Sequence, residues 1–291
     1  MPNRTNRDLE IIDRKGYYTG MPSKEYWEQR SKERLAETMK TSKEVEKYLT
    51  NVYKKGLEDT LDNYYSLMKP FVKDGEIDLA KLNNARFYDQ SFIGKLRRLE
   101  KEIELFSNNV TIKEQKLILK TLMKEYKYVL TDTLADFNKS TGIELLNKNA
   151  IEQIVKTPFT SDGREFSQRI WNNLDTMHKN LKETLSYSIA NGESVQKTAK
   201  KFQSIMGGAR SNSDRIIRTE TIACYNKASK TAYEKAGVEE VEILVEPNSC
   251  EECEKHKGIV KLFGAKVGVE LPVYHPYCRC CIAPYFKREK G

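Results

Sequence analysis

The chain has 291 residues, 38% of them apolar and 32% charged, with a net charge of +8. That length allows two domains, and the composition is polar for a compact globule but too apolar for general disorder. No run approaches the roughly 20 apolar residues of a membrane span, and the opening MPNRTNRDLEIIDRKGYY lacks the apolar core of a secretory leader. The expectation is a protein made and kept in a cytosol, with no membrane partner. The basic balance favours phosphate-rich or acidic partners; a solvated basic surface is the plainer alternative.

Residues 1–20 read as a loose basic tail. From Ser23, a capping residue, the chain reads as one or two long helices, with Tyr26, Trp27 and Leu35 and then Tyr48, Leu49, Val52, Tyr53, Leu57, Leu61, Tyr64 and Tyr65 at helical spacing. These aromatics suit a core or a partner-facing stripe. DGEIDLAKLNN breaks this region. Two further helices are predicted near 91–107 and 111–136, the second opened by Thr111 and Glu114 at capping-box spacing. NKSTGIELLNKNAIEQIVKTPFTSDG has hinge composition. It divides a helical N-terminal arm, residues 1–160, from a second domain, residues 161–291.

Past that boundary Ile170, Leu174, Met177, Leu181 and Leu185 form the apolar row of a helix stopped at Asn191 and Gly192. A shorter helix ends at Gly207 and Gly208, and another runs from Ser213 to Ala236, stopped by Gly237. Then the period changes to two: Val241, Ile243 and Val245 alternate with glutamates, a half-buried strand. GIVKLF and CIAPYF are two further short strands. The fold class is therefore α+β, with the β structure confined to the C-terminal end.

That end also holds five of the six cysteines and two of the three histidines. In a reducing compartment such clustering points to a metal more than to disulfides. Two residues separate Cys250 from Cys253, and two separate His275 from Cys278; two turns of this kind bring four soft donors to one point, the tetrahedral set zinc prefers. Cys280 shares a face with Cys278 and can replace His275 or Cys278, while Cys281 points away and reads as a small buried apolar residue. His256 is a weaker ligand candidate, and an exposed polar loop residue is the plainer reading of it. The competing view is a group of reduced core cysteines or redox-labile thiols. A β segment this small buries too little to hold itself, whereas a structural zinc contributes on the order of 10 kcal/mol of folding free energy. The ion is read as a staple. A catalytic zinc fits less well, since such sites favour His and carboxylate donors and an open position.

Arg218-Thr219-Glu220 lies on the last predicted helix. Arg218 and Glu220 do not face each other, but Arg218 can reach Asp214 four residues back. Arg218, Glu220 and Asp214 are read as an ionic clamp orienting that helix against the metal knot, with ordinary surface charge as the alternative.

Together RTETIACYNKASKTAYEKAG, the strand after it, C-x-x-C and LPVYHPYCRCC before a final proline resemble the phage Mu protein F-like domain of minor head proteins of tailed phages. The resemblance covers residues 165–285 strongly; the N-terminal half is similar only through its helical character and YWEQRSKERLAE. It implies a virion protein of head morphogenesis, near the portal, working with portal, scaffold or major capsid protein and close to packaged double-stranded DNA. It implies no enzyme, and no nucleophile–base pair or phosphate-cradling glycine loop stands in the chain. A zinc-dependent nucleic-acid-binding module is the alternative, and a metal-dependent enzyme a more distant one. The extra cysteine leaves the ligand set open.

Overall fold

The computed structural model describes residues 22–73, 76–139 and 147–286. The basic tail read over residues 1–20 lies outside them. Helix accounts for 73% of the structure and the sheet is C-terminal, which makes the protein α+β.

Ser23 opens α1 (Lys24–Met68), its hydroxyl accepting from the Tyr26 amide at 3.3 Å. α1 is a single helix of 45 residues. A 3₁₀ turn (Lys69–Phe71) and a two-strand ribbon, β1 (Val72–Lys73) and β2 (Glu76–Ile77), lead to α2 (Leu79–Tyr88). α3 (Gln90–Asp136) is also unbroken, so the two helices expected near 91–107 and 111–136 are one. The apparent capping box at Thr111 works otherwise: the Thr111 hydroxyl donates back to the Ser107 carbonyl at 2.8 Å, and Glu114 turns inward to accept from the Tyr53 hydroxyl at 3.3 Å. Tertiary burial decided this, not the local signal.

α4 (Lys148–Lys156) occupies the segment read as a hinge. Asn147 caps it, and Ile151 and Val155 are buried. α5 (Phe166–Asn191) ends at Gly192 in the left-handed conformation, φ 61°, and buries all five residues of its predicted apolar row. α6 (Val195–Ala236) joins the two helices expected on either side of Gly207 and Gly208. Two interior glycines cost about 1 kcal/mol each; burial of Phe202, Met206 and Ala209 around them outweighs that, at about 1.5–3 kcal/mol for each large side chain. Gly237, φ 81°, ends the helix.

β3 (Glu240–Leu244), β4 (Gly258–Lys261) and β5 (Cys281–Tyr285) form an antiparallel sheet in the order β4-β3-β5. A one-turn helix, α7 (Glu251–Glu254), lies in the β3–β4 connection. Glu240 pairs with Lys261 and Tyr285, and Leu244 with Cys281.

The chain packs as two units, each drawing chain from both sides of residue 160. The sheet-bearing unit contains the described residues within 1–39, 125–146 and 222–291. In it, Trp27 stacks on Phe137 at 4.8 Å, and the Tyr225 hydroxyl donates to the Ser31 carbonyl at 2.7 Å. Arg34, its side chain 1% exposed, reaches Asp132 at 2.8 Å and also Asp136, itself 2% exposed; Arg30 reaches the same two carboxylates. The helical unit contains residues 40–124 and 147–221 as far as described. There Val45, Leu49, Tyr53, Tyr64 and Leu67 of α1 are buried at helical spacing. Gly56 admits the Phe106 ring so closely that a β-carbon at that position would lie 2.0 Å from it.

Candidate metal centre

The sheet register explains why the soft donors meet. The end of β3, the start of β4 and the start of β5 lie at one end of the sheet, since Ile243 pairs with Gly258 and with Ile282. The β3–β4 connection carries Cys250 and Cys253; the lead-in to β5 carries His275, Cys278 and Cys280. Asn248, with φ 64°, turns the first segment, and Cys250 stands at the N-terminal edge of α7 with Cys253 inside it. Tyr277, with φ 63°, turns the second, and the Cys278 amide donates to the His275 carbonyl at 3.1 Å.

The imidazole Nε2 of His275 lies 3.2 Å from Cys250 Sγ and 3.0 Å from Cys253 Sγ, and Cys253 Sγ lies 3.8 Å from Cys278 Sγ. Two donor groups result, Cys250–Cys253–His275 and Cys253–Cys278–Cys280, with the donor atoms inside each no more than 4.8 Å apart. Cys253 belongs to both. In tetrahedral zinc thiolate sites the Zn–S bond is about 2.3 Å, which puts neighbouring sulfurs about 3.8 Å apart; the Cys253–Cys278 separation has this value. Nδ1 of His275 faces the Pro276 carbonyl at 2.7 Å. A proton on Nδ1 donated to that carbonyl leaves the Nε2 lone pair directed at the sulfurs, the backbone-held arrangement usual for a ligating histidine. The donor set suits a soft divalent ion, and it can hold one.

The thiols influence one another. A hydrogen bond with Cys280 is the largest effect on Cys278 and holds it low, at about 5; the same bond pushes Cys280 well above the usual thiol range. Burial pushes Cys253 up to about 12. Cys281 starts β5, is fully enclosed, and is likewise pushed up to about 12 by burial. Cys280 is fixed through its backbone, where its carbonyl accepts from Asn226 Nδ2 at 3.1 Å. His256 stacks on Tyr274, centroids 3.7 Å apart and planes within 7°.

The charged residues singled out on α6 are distributed as follows. Arg218 sends Nε and Nη2 to Glu46 at 2.7 and 2.6 Å, and Asp214 receives Arg210 at 2.7 Å. Burial raises the Asp214 carboxyl, against the opposing fields of Arg210 and Arg218. Glu220 is buried. Glu46, which completes the arginine pair, carries no local signal in the sequence, because its partner is 172 residues away.

Residues 179–283 match the family model described as Phage Mu protein F like protein. No curated protein and no solved structure matches the chain. The matched stretch takes in the second half of α5, all of α6, and the sheet up to Ala283, with every donor of the candidate centre inside it. Over this stretch the chain is similar to Mu protein F-like proteins of phage head morphogenesis, and the likeness read from RTE, C-x-x-C and HPYCRC is borne out there. A phage head family of this kind implies a place in the virion and interaction with other capsid proteins. Among the described residues no helix is long and apolar enough to cross a membrane.

Proposed function

We propose that this protein is a minor capsid protein of a tailed phage, acting beside the portal during procapsid assembly, as a structural component without catalysis. The family match over α6 and the sheet carries this reading. In this role portal protein is the first partner, with scaffold or major capsid protein next. Zinc, held by Cys250, Cys253, His275 and Cys278, is the structural ion: the 3.8 Å sulfur separation favours Cys278 as the fourth donor, with Cys280 hydrogen-bonded behind it. When bound, such an ion cross-links the β3–β4 connection to the lead-in to β5. A thiolate-rich set of this kind suits a structural more than a catalytic metal.

Co-expression with the portal, scaffold and major capsid proteins of the same phage tests the role. The expected result is incorporation into heads and recovery of portal in a pull-down from metal-loaded protein. Metal-loaded protein that recovers no portal and stays out of heads would overturn it. A second reading, direct contact with packaged double-stranded DNA, is motivated by the net charge of +8. Such binding weakens steeply with salt, and no detectable affinity at low salt would remove it.

A further inference from the structure

The two edges of the C-terminal sheet are finished differently. In antiparallel pairing, residues alternate between facing the neighbour with their backbone polar groups and facing away. The Leu262 amide donates to the Glu239 carbonyl, so with the β3–β4 register the groups of Gly258 and Val260 face β3 and those of Ile259 and Lys261 face outward. On β5 the outward residues are Ile282 and Pro284. That edge is closed: Pro284 has no amide hydrogen, the Ile282 carbonyl accepts from the Tyr233 hydroxyl at 3.4 Å, and the Cys280 carbonyl before it takes Asn226. On β4, among the described residues, the outward amides and carbonyls of Ile259 and Lys261 have no partner, and no proline or bulge protects them. Apolar surface flanks this edge, with Ile259 49% and Phe263 94% exposed.

Natural sheets blunt, cover or charge their edges, and an open edge is a template for an added strand. We infer that the β4 edge, Gly258–Lys261, is a docking site for an extended segment of another head protein in which acidic and apolar residues alternate; this rests on the head-assembly role proposed above. The charge selects the partner. Among the described residues Lys261 on the edge forms no ion pair, Lys266 beyond it is exposed, and Lys257 before it is exposed with only a 4.0 Å approach to Glu254. Backbone pairing supplies the affinity, the lysines select acidic side chains, and Ile259 and Phe263 receive the apolar ones. A second copy of this chain would set lysine against lysine along the same edge.

The test uses the full metal-loaded chain and a fluorescein-labelled peptide alternating Glu and Val, with a Lys-Val peptide as control. Ile259→Pro removes an outward donor without breaking any bond to β3; Ile259→Thr keeps that donor; Lys261→Glu reverses the edge charge and also sets a carboxylate opposite Glu240 of β3, so its metal content and near-ultraviolet dichroism are checked alongside. Expected are binding of the Glu-Val peptide, a loss of about tenfold or more in Ile259→Pro and Lys261→Glu, and a change within about twofold in Ile259→Thr. No binding of the Glu-Val peptide, equal binding of the Lys-Val peptide, undiminished binding by both weakened variants, or a dimer of the chain alone that Ile259→Pro dissolves would each overturn the inference. If Ile259→Pro loses its metal or its near-ultraviolet dichroism, Lys261→Glu decides. Hydrogen exchange in co-assembled heads is the second arm: protection of the Ile259 and Lys261 amides supports the site, and unchanged exchange in heads containing the protein overturns it. Absence of the chain from heads counts against the head role, and the peptide result then stands on its own.

Discussion

The helical unit and the sheet-bearing unit hold themselves together by different means. The helical unit lays apolar rows along long helices, and each turn repeats the same kind of contact. Among its buried polar groups, Tyr53, Glu114 and Ser213 share one hydrogen-bonded cluster. The sheet-bearing unit has three strands of four or five residues, and around them specific polar partners do the holding: thiols and an imidazole at one end of the sheet, Tyr233 and Asn226 on the β5 edge, and an arginine–aspartate network among its helical segments. Distributed burial tolerates the loss of one contact, whereas a few directional ties do not.

The sharpest way to break this contrast is at Cys253, the donor common to both thiol groups. Cys253→Ser should remove the bound ion, read by elemental analysis, and abolish amide protection in β3–β5, with a loss on the order of 10 kcal/mol of metal-linked folding free energy. The helical unit should keep its helical dichroism. An unchanged sheet in strong chelator would sink the staple. Next is Arg34, buried between Asp132 and Asp136. Arg34→Met leaves two carboxylates without their buried partner and should cost about 3–5 kcal/mol in denaturant unfolding.

In the helical unit the largest polar effect belongs to Glu114. Burial, opposed by hydrogen bonds from Ser213 and Tyr53, raises its carboxyl from 4.5 to about 7. The folded form holds the proton more tightly than the unfolded chain. The stability it lends is therefore full below about 4.5 and is lost as pH rises through about 7, amounting to at most ~3 kcal/mol. Glu114→Gln should flatten that dependence, as followed by thermal unfolding from about pH 5 to pH 8; a wild type equally stable across that range would show that Glu114 stays ionised. The smallest effect is a gain. Gly208→Ala places a methyl group in open space within α6 and should stabilise by about 0.5–1 kcal/mol. A loss instead would mean that α6 breaks there, as the pair of glycines suggests.

Period and chemistry were legible from the sequence alone. Spacing of 3.6 marked the apolar row of α5, alternation marked β3, and the paired two-residue spacings marked Cys250, Cys253, His275 and Cys278 as one group of donors. These signals are local: each depends on the geometry of a few consecutive residues, and no distant segment has to be known. The C-terminal resemblance was legible for the same reason, through short motifs in fixed order. Only the tertiary structure decided whether Gly207–Gly208 and Thr111–Glu114 interrupt their helices, because burial against residues far away in the chain outweighs a local stop worth about 1 kcal/mol. It alone paired Arg218 with Glu46 and closed one sheet edge with Tyr233, Asn226 and Pro284 while leaving the other open among the described residues. Those outcomes depend on which backbone groups face a neighbour, and that is set by strand order and register, which no single stretch of sequence contains.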